Sequence, residues 1–382
     1  MFKTLLVDTN RAAYPIYQAL CQQGHEVWVV GANSDEPLAK LASHYVQLDY
    51  SDIEKLAALV DEKDFDYLVP GCTDLSYEVC AEINNGRFSG IDTVANTHTI
   101  NAKHAFRKVA VELGLPVPRV LSVDDALEAD TVIVKPVDAF SGRGIGVAQK
   151  PDRKKLNEVI QTSSEASRTG NVIIEEFIVG QLYSHSAFVR DGRVVADFIV
   201  QEDCVINPFA VDTSRLANAF SEAIQSSLRE NIMRLFSSLS LVDGLLHTQF
   251  IVRGDNYWII EMTRRCPGDI YSMLIELSTG YSYAVSYVAP FIGNSAHAPD
   301  AEALRQKIIR HTMTSKKGAP LWGMQFMCPA EISLFVPLAT SGDFIDPSPY
   351  GRAGIFFLRA NSLQDQETLY QKLLVGGLYS LV

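Results

Sequence analysis

The sequence predicts a mixed α/β protein that is divided into several units. Apolar strand-like runs alternate with amphipathic helices over about the first hundred residues, which indicates a doubly wound α/β domain. Two apolar hairpins and a glycine-rich loop follow, which is typical of an α+β arrangement. The 382 residues are too many for one small core. We therefore expect about two to four units.

The N-terminal alternation begins with short buried strands, which are expected at residues 4–7, 26–31 and 67–69. The turn at residues 8–12 contains none of the glycines that let a backbone approach a pyrophosphate, so no dinucleotide site is predicted there. Loops at the carboxyl ends of parallel strands still commonly contact ligands. The loop residues that could contact a substrate are Asn10, Arg11, Thr73 and Asp74.

Charge and cysteine content exclude several classes of protein. The formal net charge of −12 argues against nonspecific nucleic-acid binding and against an anionic membrane surface. The first residues do not form a signal peptide, and no apolar run approaches the length of a transmembrane helix. Six scattered cysteines without a CxxC pair are typical of reduced thiols. We expect a cytoplasmic protein that binds neither nucleic acid nor membranes.

A glycine-rich loop follows a strand that ends in a lysine. The strand at residues 131–134 leads into Lys135, and three alternate glycines follow between residues 141 and 147. Such a loop can bring backbone N–H groups against phosphates, although glycine-rich hairpin turns are common and explain the same pattern. The next strand, at residues 172–176, ends in a Glu-Glu-Phe-Ile segment.

A second group of polar residues lies in a predicted hairpin near residue 250. Two apolar runs flank a short loop that contains Gly254, and a three-residue loop would pair Gln249 with Glu261 at a Cβ separation of about 5 Å. Strand alternation would then place Tyr257, Ile259 and Glu261 on one face.

Thr263 and Arg265 continue the Glu261 face if the chain stays extended. Oxygen ligands with arginines beside them suit a magnesium ion that carries a polyphosphate. A half-buried hairpin with a solvated, charged end explains this stretch equally well, so the choice depends on the rest of the chain.

The order of the motifs is more specific than any one of them. Lys103 on a helix is followed by Gly-Leu-Pro-Val-Pro, by Val-Lys-Pro, by the glycine-rich loop, by Glu-Glu-Phe-Ile and by a hairpin that ends in Ile-Glu-Met-Thr-Arg-Arg. This order resembles the ATP-grasp superfamily over residues 1–293 and is most similar to its biotin carboxylase and carbamoyl phosphate synthetase branch. The resemblance implies an ATP-grasp fold with an N-terminal Rossmann-like pre-ATP-grasp domain.

The resemblance also implies domain limits. Residues 1–98 correspond to the pre-ATP-grasp domain, and residues 99–293 correspond to the ATP-grasp domain, whose mobile lid spans about residues 119–178. Residues 294–382 form a C-terminal extension that completes the core or the lid.

Site residues follow from the resemblance position by position. Lys103 and Lys135 match the two lysines that contact the phosphates of ATP. The residues that match the mobile loop over the phosphates are Ser141, Gly142, Gly144 and Gly146. The residues that match the adenine-binding hinge are Glu175, Glu176, Phe177 and Ile178. The residues that match the metal-binding positions are Gln249, Glu261 and Thr263. Arg265 matches a catalytic arginine and joins Glu261 as a predicted catalytic residue. The implied cofactors are ATP and Mg²⁺ or Mn²⁺.

Three positions differ from the pattern that is common in the superfamily. Gln249 stands where many relatives have glutamate, so the site has one carboxylate fewer. Thr263 stands where asparagine is frequent, and Leu182 replaces an acidic residue that often binds ribose. These differences keep open a protein that binds nucleotide with little catalysis.

The predicted function is that of an ATP-dependent carboxylate–amine ligase. ATP would activate a small carboxylate, with amino acids among the candidates, as an acyl phosphate, and attack by an amine would give an amide, ADP and phosphate. The alternatives are a carboxylase-like enzyme that activates bicarbonate and a nucleotide-binding module with little catalysis. The predicted partners are the small carboxylate and amine substrates. The resemblance leaves the oligomeric state open, with a homodimer as one alternative because many members of the superfamily dimerise.

Other polar side chains near these motifs have a structural interpretation. His247 and His185 lie on predicted strands and are expected to be packed or hydrogen-bonded rather than catalytic. Arg264 is expected to point away from Arg265 and to be structural. The polar run at residues 310–312 is expected to be solvated surface.

Overall fold

The computed structural model describes residues 1–139, 142–327 and 329–382. Within these residues the chain forms nineteen strands and twelve α-helices. The strands are β1 (Lys3–Val7), β2 (Glu26–Gly31), β3 (His44–Gln47), β4 (Tyr67–Pro70), β5 (Thr131–Pro136), β6 (Gly146–Gln149), β7 (Val172–Glu176), β8 (Gln181–Arg190), β9 (Arg193–Asp203), β10 (Thr213–Leu216), β11 (Gly244–Arg253), β12 (Asn256–Thr263), β13 (Lys307–Met313), β14 (Ala319–Pro320), β15 (Met324–Phe326), β16 (Glu331–Pro337), β17 (Phe344–Ile345), β18 (Gly354–Ala360) and β19 (Tyr379–Leu381). The α-helices are α1 (Tyr14–Gln22), α2 (Pro37–Leu41), α3 (Ile53–Lys63), α4 (Asp74–Asn84), α5 (Val94–Asn101), α6 (Lys103–Glu112), α7 (Val123–Leu127), α8 (Arg153–Glu165), α9 (Glu222–Ser238), α10 (Tyr271–Thr279), α11 (Tyr283–Val288) and α12 (Leu363–Leu374).

The first four strands form a parallel sheet in the order β3-β2-β1-β4, as in half of a doubly wound domain. Its central strand is a continuous apolar run, and Leu5, Leu6 and Val7 are completely buried. The carboxyl ends of parallel strands meet at one edge, so the loops after β1 and β4 are neighbours. The Cys72 N–H donates to Asp8 Oδ2 at 2.9 Å across these two loops.

The part of the chain between α6 and β8 forms a separate layer, whose small antiparallel sheet has the order β6-β5-β7. Helices α7 and α8 pack on it around a compact apolar core that includes Val132, Val134 and Leu156. This layer brings Lys135, the glycine-rich loop and the Glu-Glu-Phe-Ile segment together.

The main sheet has eight antiparallel strands in the order β12-β11-β8-β9-β10-β13-β18-β16. Helix α9 covers one face, where Leu228 and Ile232 pack with Leu246 and Phe250. Helices α10 and α11 cover part of the other face, where the Phe188 ring meets that of Tyr283. Three strands of this sheet, β13, β16 and β18, come from the C-terminal segment of the chain.

In residues 1–139, 142–327 and 329–382, no helix combines the length and the apolar character that crossing a membrane requires.

Candidate active site

The predicted pairing of Gln249 with Glu261 is confirmed: the two residues are direct partners between β11 and β12. The hairpin reaches this pairing by a route that differs from the predicted three-residue loop. Arg253 pairs with Asn256, so the turn itself has two residues, and a β-bulge between the Phe250 and Gln249 positions then shifts the register by one. The shorter turn and the extra residue compensate each other.

The predicted face of Glu261 is wrong, and the bulge is the reason. Tyr257 and Ile259 are 7% and 0% exposed in the apolar core, whereas Glu261 is exposed. The bulge adds Ile260 to the strand, which moves every later side chain to the opposite face. Glu261 therefore shares a face with Gln249 but not with Tyr257 or Ile259.

The amide of Gln249 is held by a carboxylate that the sequence did not indicate. Gln249 Nε2 donates to Glu202 Oε2 at 2.8 Å, and Ser184 Oγ donates to Glu202 Oε1 at 2.8 Å. Burial raises the pKa of the Glu202 carboxyl. Because the first of these hydrogen bonds engages the amide nitrogen, the Gln249 oxygen is the end of the amide that is left without a hydrogen-bond partner among the described residues.

The end of the hairpin contacts the N-terminal domain. Arg265 Nε donates to Asp74 Oδ1 at 2.7 Å, and Thr263 Oγ1 donates to the same oxygen at 3.2 Å. Asp74 begins α4, directly after the helix cap at Thr73, whose hydroxyl accepts a hydrogen bond from the N–H of Ser76. One carboxylate from the first domain therefore fixes the orientation of the Arg265 guanidinium.

The structural interpretation of Arg264 is confirmed. Its Nε donates to Asp92 Oδ2 at 2.6 Å and its Nη1 to the Leu245 carbonyl at 2.8 Å, and the side chain is buried. Successive arginines on an extended chain thus have different surroundings, because Arg264 is enclosed in the protein and Arg265 remains beside Glu261 and Asp74.

Lys135 belongs to a buried network of three charges. Lys135 Nζ lies 2.7 Å from Glu175 Oε2, and Arg107 Nε lies 2.5 Å from Glu175 Oε1. Arg107 Nη2 also donates to the carbonyl of Ile260, the bulge residue, at 2.7 Å. Arg107 was missed by the sequence analysis; its position on α6, four residues after Lys103, is the one signal that could have suggested it.

Burial and pairing act in opposite directions on this network. Burial lowers the pKa of Lys135, and the Glu175 carboxylate opposes that effect. Burial also disfavours the charged form of Glu175, but Lys135 and Arg107 outweigh it and lower the pKa of the carboxyl. Glu175 is therefore an ionised partner for two cations.

The other predicted hinge residues lie at the end of β7. Glu176 accepts hydrogen bonds from the N–H of Arg119 at 2.9 Å and from Arg119 Nε at 3.2 Å. The Phe177 N–H donates to the Thr131 carbonyl at 3.3 Å, and Ile178 is buried. Protein cations thus engage the carboxylates of both Glu175 and Glu176. The polar groups that the predicted hinge can offer to an adenine ring are therefore those of its backbone.

Lys103 reaches the segment that precedes the glycine-rich loop. Its Nζ lies 3.4 Å from the Ala139 carbonyl and 3.5 Å from that of Val137. Ser141 lies outside the described residues. Gly142 has a φ of 73°, and a Cβ there would lie 2.4 Å from the Phe209 carbonyl oxygen, so only glycine permits this close approach.

The remaining loop glycines allow close packing within the layer formed by the β6-β5-β7 sheet and its helices. A Cβ at Gly144 would lie 2.2 Å from Ala166 Cβ, and one at Gly146 would lie 2.5 Å from Val159 Cγ1, both near α8. The loop thus packs tightly on its own layer, while Gly142 approaches the loop after β9.

The histidines on the main sheet are packed, as expected. His247 Nδ1 lies 3.0 Å from Ser186 Oγ, and burial lowers its pKa to about 3, which keeps the ring neutral near pH 7. His185 Nε2 lies 2.8 Å from Asp197 Oδ2.

The expectation of a solvated surface for residues 310–312 is wrong. Arg310, His311 and Thr312 are each 2% exposed, because β13 lies between β10 and β18 in the middle of the main sheet. Arg310 donates to the Asp269 carbonyl at 2.8 Å and to Ser214 Oγ at 3.0 Å. Arg310 also lies close enough to Glu202 to lower the pKa of that carboxyl, so it adds a buried positive charge near Gln249 and Glu202.

The side-chain oxygens of the hairpin are suitable ligands for a magnesium ion that is also bound by phosphates. In the described part of the chain, no group of three or more His, Cys, Asp and Glu side chains forms a metal cluster. Mg²⁺ does not require such a cluster, since one or two protein carboxylates together with substrate phosphates and water complete its coordination shell. Glu261 supplies a carboxylate and Gln249 an amide oxygen on the same face.

Residues 100–289 match the family model described as the ATP-binding domain of the carbamoyl-phosphate synthase L chain. A formate-dependent phosphoribosylglycinamide formyltransferase from Pasteurella multocida is 27% identical over 186 residues, which cover 46% of this chain and 47% of that protein. The chain spans about half the length of the curated relatives it matches first.

Two solved structures are similar over nearly the whole chain. Phosphoribosylglycinamide synthetase from Anaerococcus prevotii has a TM-score of 0.76 at 16% identity, and the match covers 100% of this chain and 99% of that one. L-amino acid ligase from Bacillus licheniformis has a TM-score of 0.74 at 15% identity, with 99% and 98% covered. At these identities the likeness shows a common fold.

Proposed function

We propose that the chain is a member of the ATP-grasp superfamily and an ADP-forming, ATP-dependent ligase that joins a small carboxylate to an amine. The observation that carries the proposal is the Gln249–Glu261 pair, which places two oxygen donors opposite each other on an accessible face. Similarity to phosphoribosylglycinamide and amino acid ligases supports the reaction class.

Lys103 and Lys135 are proposed to hold the phosphates of ATP. Lysine ammonium groups are compact charges that suit a polyphosphate. Glu175 keeps Lys135 in place, and the two carbonyls near Lys103 limit where its ammonium group can lie. The two ammonium groups would thus supply fixed positive charges to the phosphates.

Glu261 and the Gln249 oxygen are proposed to hold Mg²⁺ or Mn²⁺. When bound there, the ion would neutralise the charge that develops during phosphoryl transfer. The exposed carboxylate of Glu261 gives the metal a negative ligand. The Thr263 hydroxyl donates to Asp74, so its role would be to steady the hairpin end rather than to ligate.

Arg265 is proposed to bind the carboxylate that becomes activated. Asp74 engages its Nε and the Cys266 carbonyl accepts from its Nη1 at 3.4 Å, which leaves Nη2 of the guanidinium for an anionic ligand. A guanidinium held in one orientation can stabilise both the substrate carboxylate and the acyl phosphate oxygens. Attack by the amine on that acyl phosphate would then give an amide and release phosphate.

The release of ADP and phosphate tests this proposal. The protein would be incubated with ATP and Mg²⁺ across pools of carboxylates and amines, with and without bicarbonate. We expect release that requires both a carboxylate and an amine. Release that requires bicarbonate alone would instead support a carboxylase-like enzyme, and tight ATP binding without release from any pool would contradict the ligase proposal.

A further inference from the structure

A buried carboxylate lies directly behind the proposed metal position. Glu202 is only 5% exposed, which is unusual for a glutamate without a strong structural reason. Its two oxygens are held separately, since Oε2 accepts from Gln249 Nε2 and Oε1 accepts from Ser184 Oγ, both at 2.8 Å. The Tyr271 hydroxyl lies 2.9 Å from the same Ser184 Oγ.

Strand register brings this group together. Gln249 on β11 is the direct partner of Ser184 on β8, and Ser184 is the partner of Val200 on β9. Glu202 lies two residues beyond Val200 and therefore on the same face of the sheet. Three adjacent strands thus fix the positions of Glu202, Ser184 and Gln249.

We propose that Glu202 positions the Gln249 side chain so that its amide oxygen, and not its nitrogen, faces the metal ion. A side-chain amide has a donor end and an acceptor end, and a rotation by half a turn would present N–H groups to a cation. The Glu202 carboxylate accepts a hydrogen bond from the nitrogen and so holds the oxygen outward. Glu202 is a positioning residue, because it acts on the metal through Gln249.

The arrangement also accounts for glutamine at the first metal position. A glutamate at residue 249 would place its carboxylate against that of Glu202, with Glu261 across the hairpin, and like charges at such distances repel. In this chain the neighbouring negative charge is on β9, and the ligand itself is neutral. The inference rests on the proposed function, since it assumes a metal ion between Gln249 and Glu261.

A cycle of four proteins tests the positioning role: wild type, Glu202→Gln, Gln249→Glu, and the variant with both changes. The probe is Mn²⁺ binding to the ADP complex, followed by the EPR signal of free Mn²⁺. In Glu202→Gln the amide at residue 202 can donate to the Gln249 oxygen as well as accept from its nitrogen, so Gln249 is no longer held in one orientation, and we expect Mn²⁺ binding to weaken about tenfold.

The same Glu202→Gln change should not weaken Mn²⁺ binding when residue 249 is glutamate. In the double variant, the new amide at residue 202 donates to the new carboxylate at residue 249. The hydrogen bond between the two side chains is thus restored with donor and acceptor exchanged. A residue that acted only through its negative charge would weaken binding by the same factor in both backgrounds. That outcome, or an unchanged affinity in Glu202→Gln alone, would overturn the proposal.

Two further variants keep the test independent of folding. Ser184→Ala releases one oxygen of Glu202 without removing a charge, and we expect a loss of about two- to threefold in Mn²⁺ affinity. Glu276→Gln, which changes another partly buried glutamate on α10, should leave Mn²⁺ affinity unchanged. ADP binding without metal should be equal in all variants. Absence of ADP binding in the wild type would contradict the proposed function itself, which is a different failure.

Discussion

Two glutamates of the candidate site have opposite surroundings. Glu175 is 1% exposed and lies between Lys135 and Arg107, whereas Glu261 is exposed and has no ion-pair partner among the described residues. A buried carboxylate between two cations has both oxygens paired within the protein, and its removal would leave both cations without a counter-charge. An exposed carboxylate without a partner keeps its charge for a ligand. The difference indicates that Glu175 maintains the site and that Glu261 is available to a metal ion.

Arg107 connects these two regions. One nitrogen pairs with Glu175 and another donates to the carbonyl of Ile260, next to Glu261. Bulges leave backbone groups without a ladder partner, and Arg107 supplies one for this carbonyl. Arg107 therefore links Glu175, which holds Lys135, to the bulge that orients Glu261.

The largest expected effect is a loss of stability on changing Glu175. Glu175→Gln should lower the free energy of unfolding by about 3–5 kcal/mol, because Lys135 and Arg107 would remain buried without their counter-charge. Chemical denaturation of the wild type and the variant measures this difference in the free energy of unfolding.

The matched control for this change is Glu176→Gln at the next residue. Glu176 pairs with Arg119, whose side chain is 74% exposed, and such pairs contribute about 0.2–1 kcal/mol. Equal losses in the two variants would show that the buried network has no special contribution, and the contrast between Glu175 and Glu261 would then lose its energetic basis.

The second expected effect is a loss of turnover with little loss of stability. Glu261→Gln should reduce Mg²⁺-dependent release of ADP about a hundredfold, because it removes the carboxylate of the proposed metal site. The free energy of unfolding should change by less than about 0.5 kcal/mol, since Glu261 is exposed.

The control for the second effect comes from the same hairpin. Asp255→Asn neutralises an exposed carboxylate in the turn, far along the strands from Glu261, and should leave turnover unchanged. Full activity in Glu261→Gln would show that the proposed metal site is wrong.

The fold and the site differ in how much the sequence could predict. The ATP-grasp fold expected from the order of the motifs is confirmed, because alternating strands and helices and the spacing of motifs are local properties of the chain. The Gln249–Glu261 pairing was predictable for the same reason, although the bulge that turns Glu261 outward was not. Hydrophobic alternation does not reveal an added residue when the flanking residues remain apolar.

The supporting residues could not be predicted because they come from distant parts of the chain. Glu202 is 47 residues from Gln249, and Asp74 is 191 residues from Arg265. A periodic pattern indicates which face of a strand is buried, but it does not indicate which strands become neighbours. The same limit explains the error at residues 310–312, where a polar sequence lies inside a central strand.

The smallest expected effect concerns Asp74, which supports Arg265 from the other domain. Asp74→Asn keeps an oxygen that can accept from Arg265 Nε but removes the negative charge. A hydrogen bond between charged groups contributes about 1.5–3 kcal/mol, so partial loss should lower kcat/KM for the carboxylate substrate about tenfold. Steady-state kinetics with the substrate pair found by the ADP release assay measures it.

Two comparisons make the Asp74 effect specific. Glu78→Gln changes another carboxylate one turn later on α4, where it accepts from Asn101, and should leave kcat/KM unchanged. In an Arg265→Lys background, Asp74→Asn should cause little further loss, because residues that act through one contact are not additive. Independent, additive losses would mean that Asp74 affects the substrate by another route. Arg265 would then be oriented by the hairpin alone, and the N-terminal domain would have no part in binding the activated carboxylate through this contact.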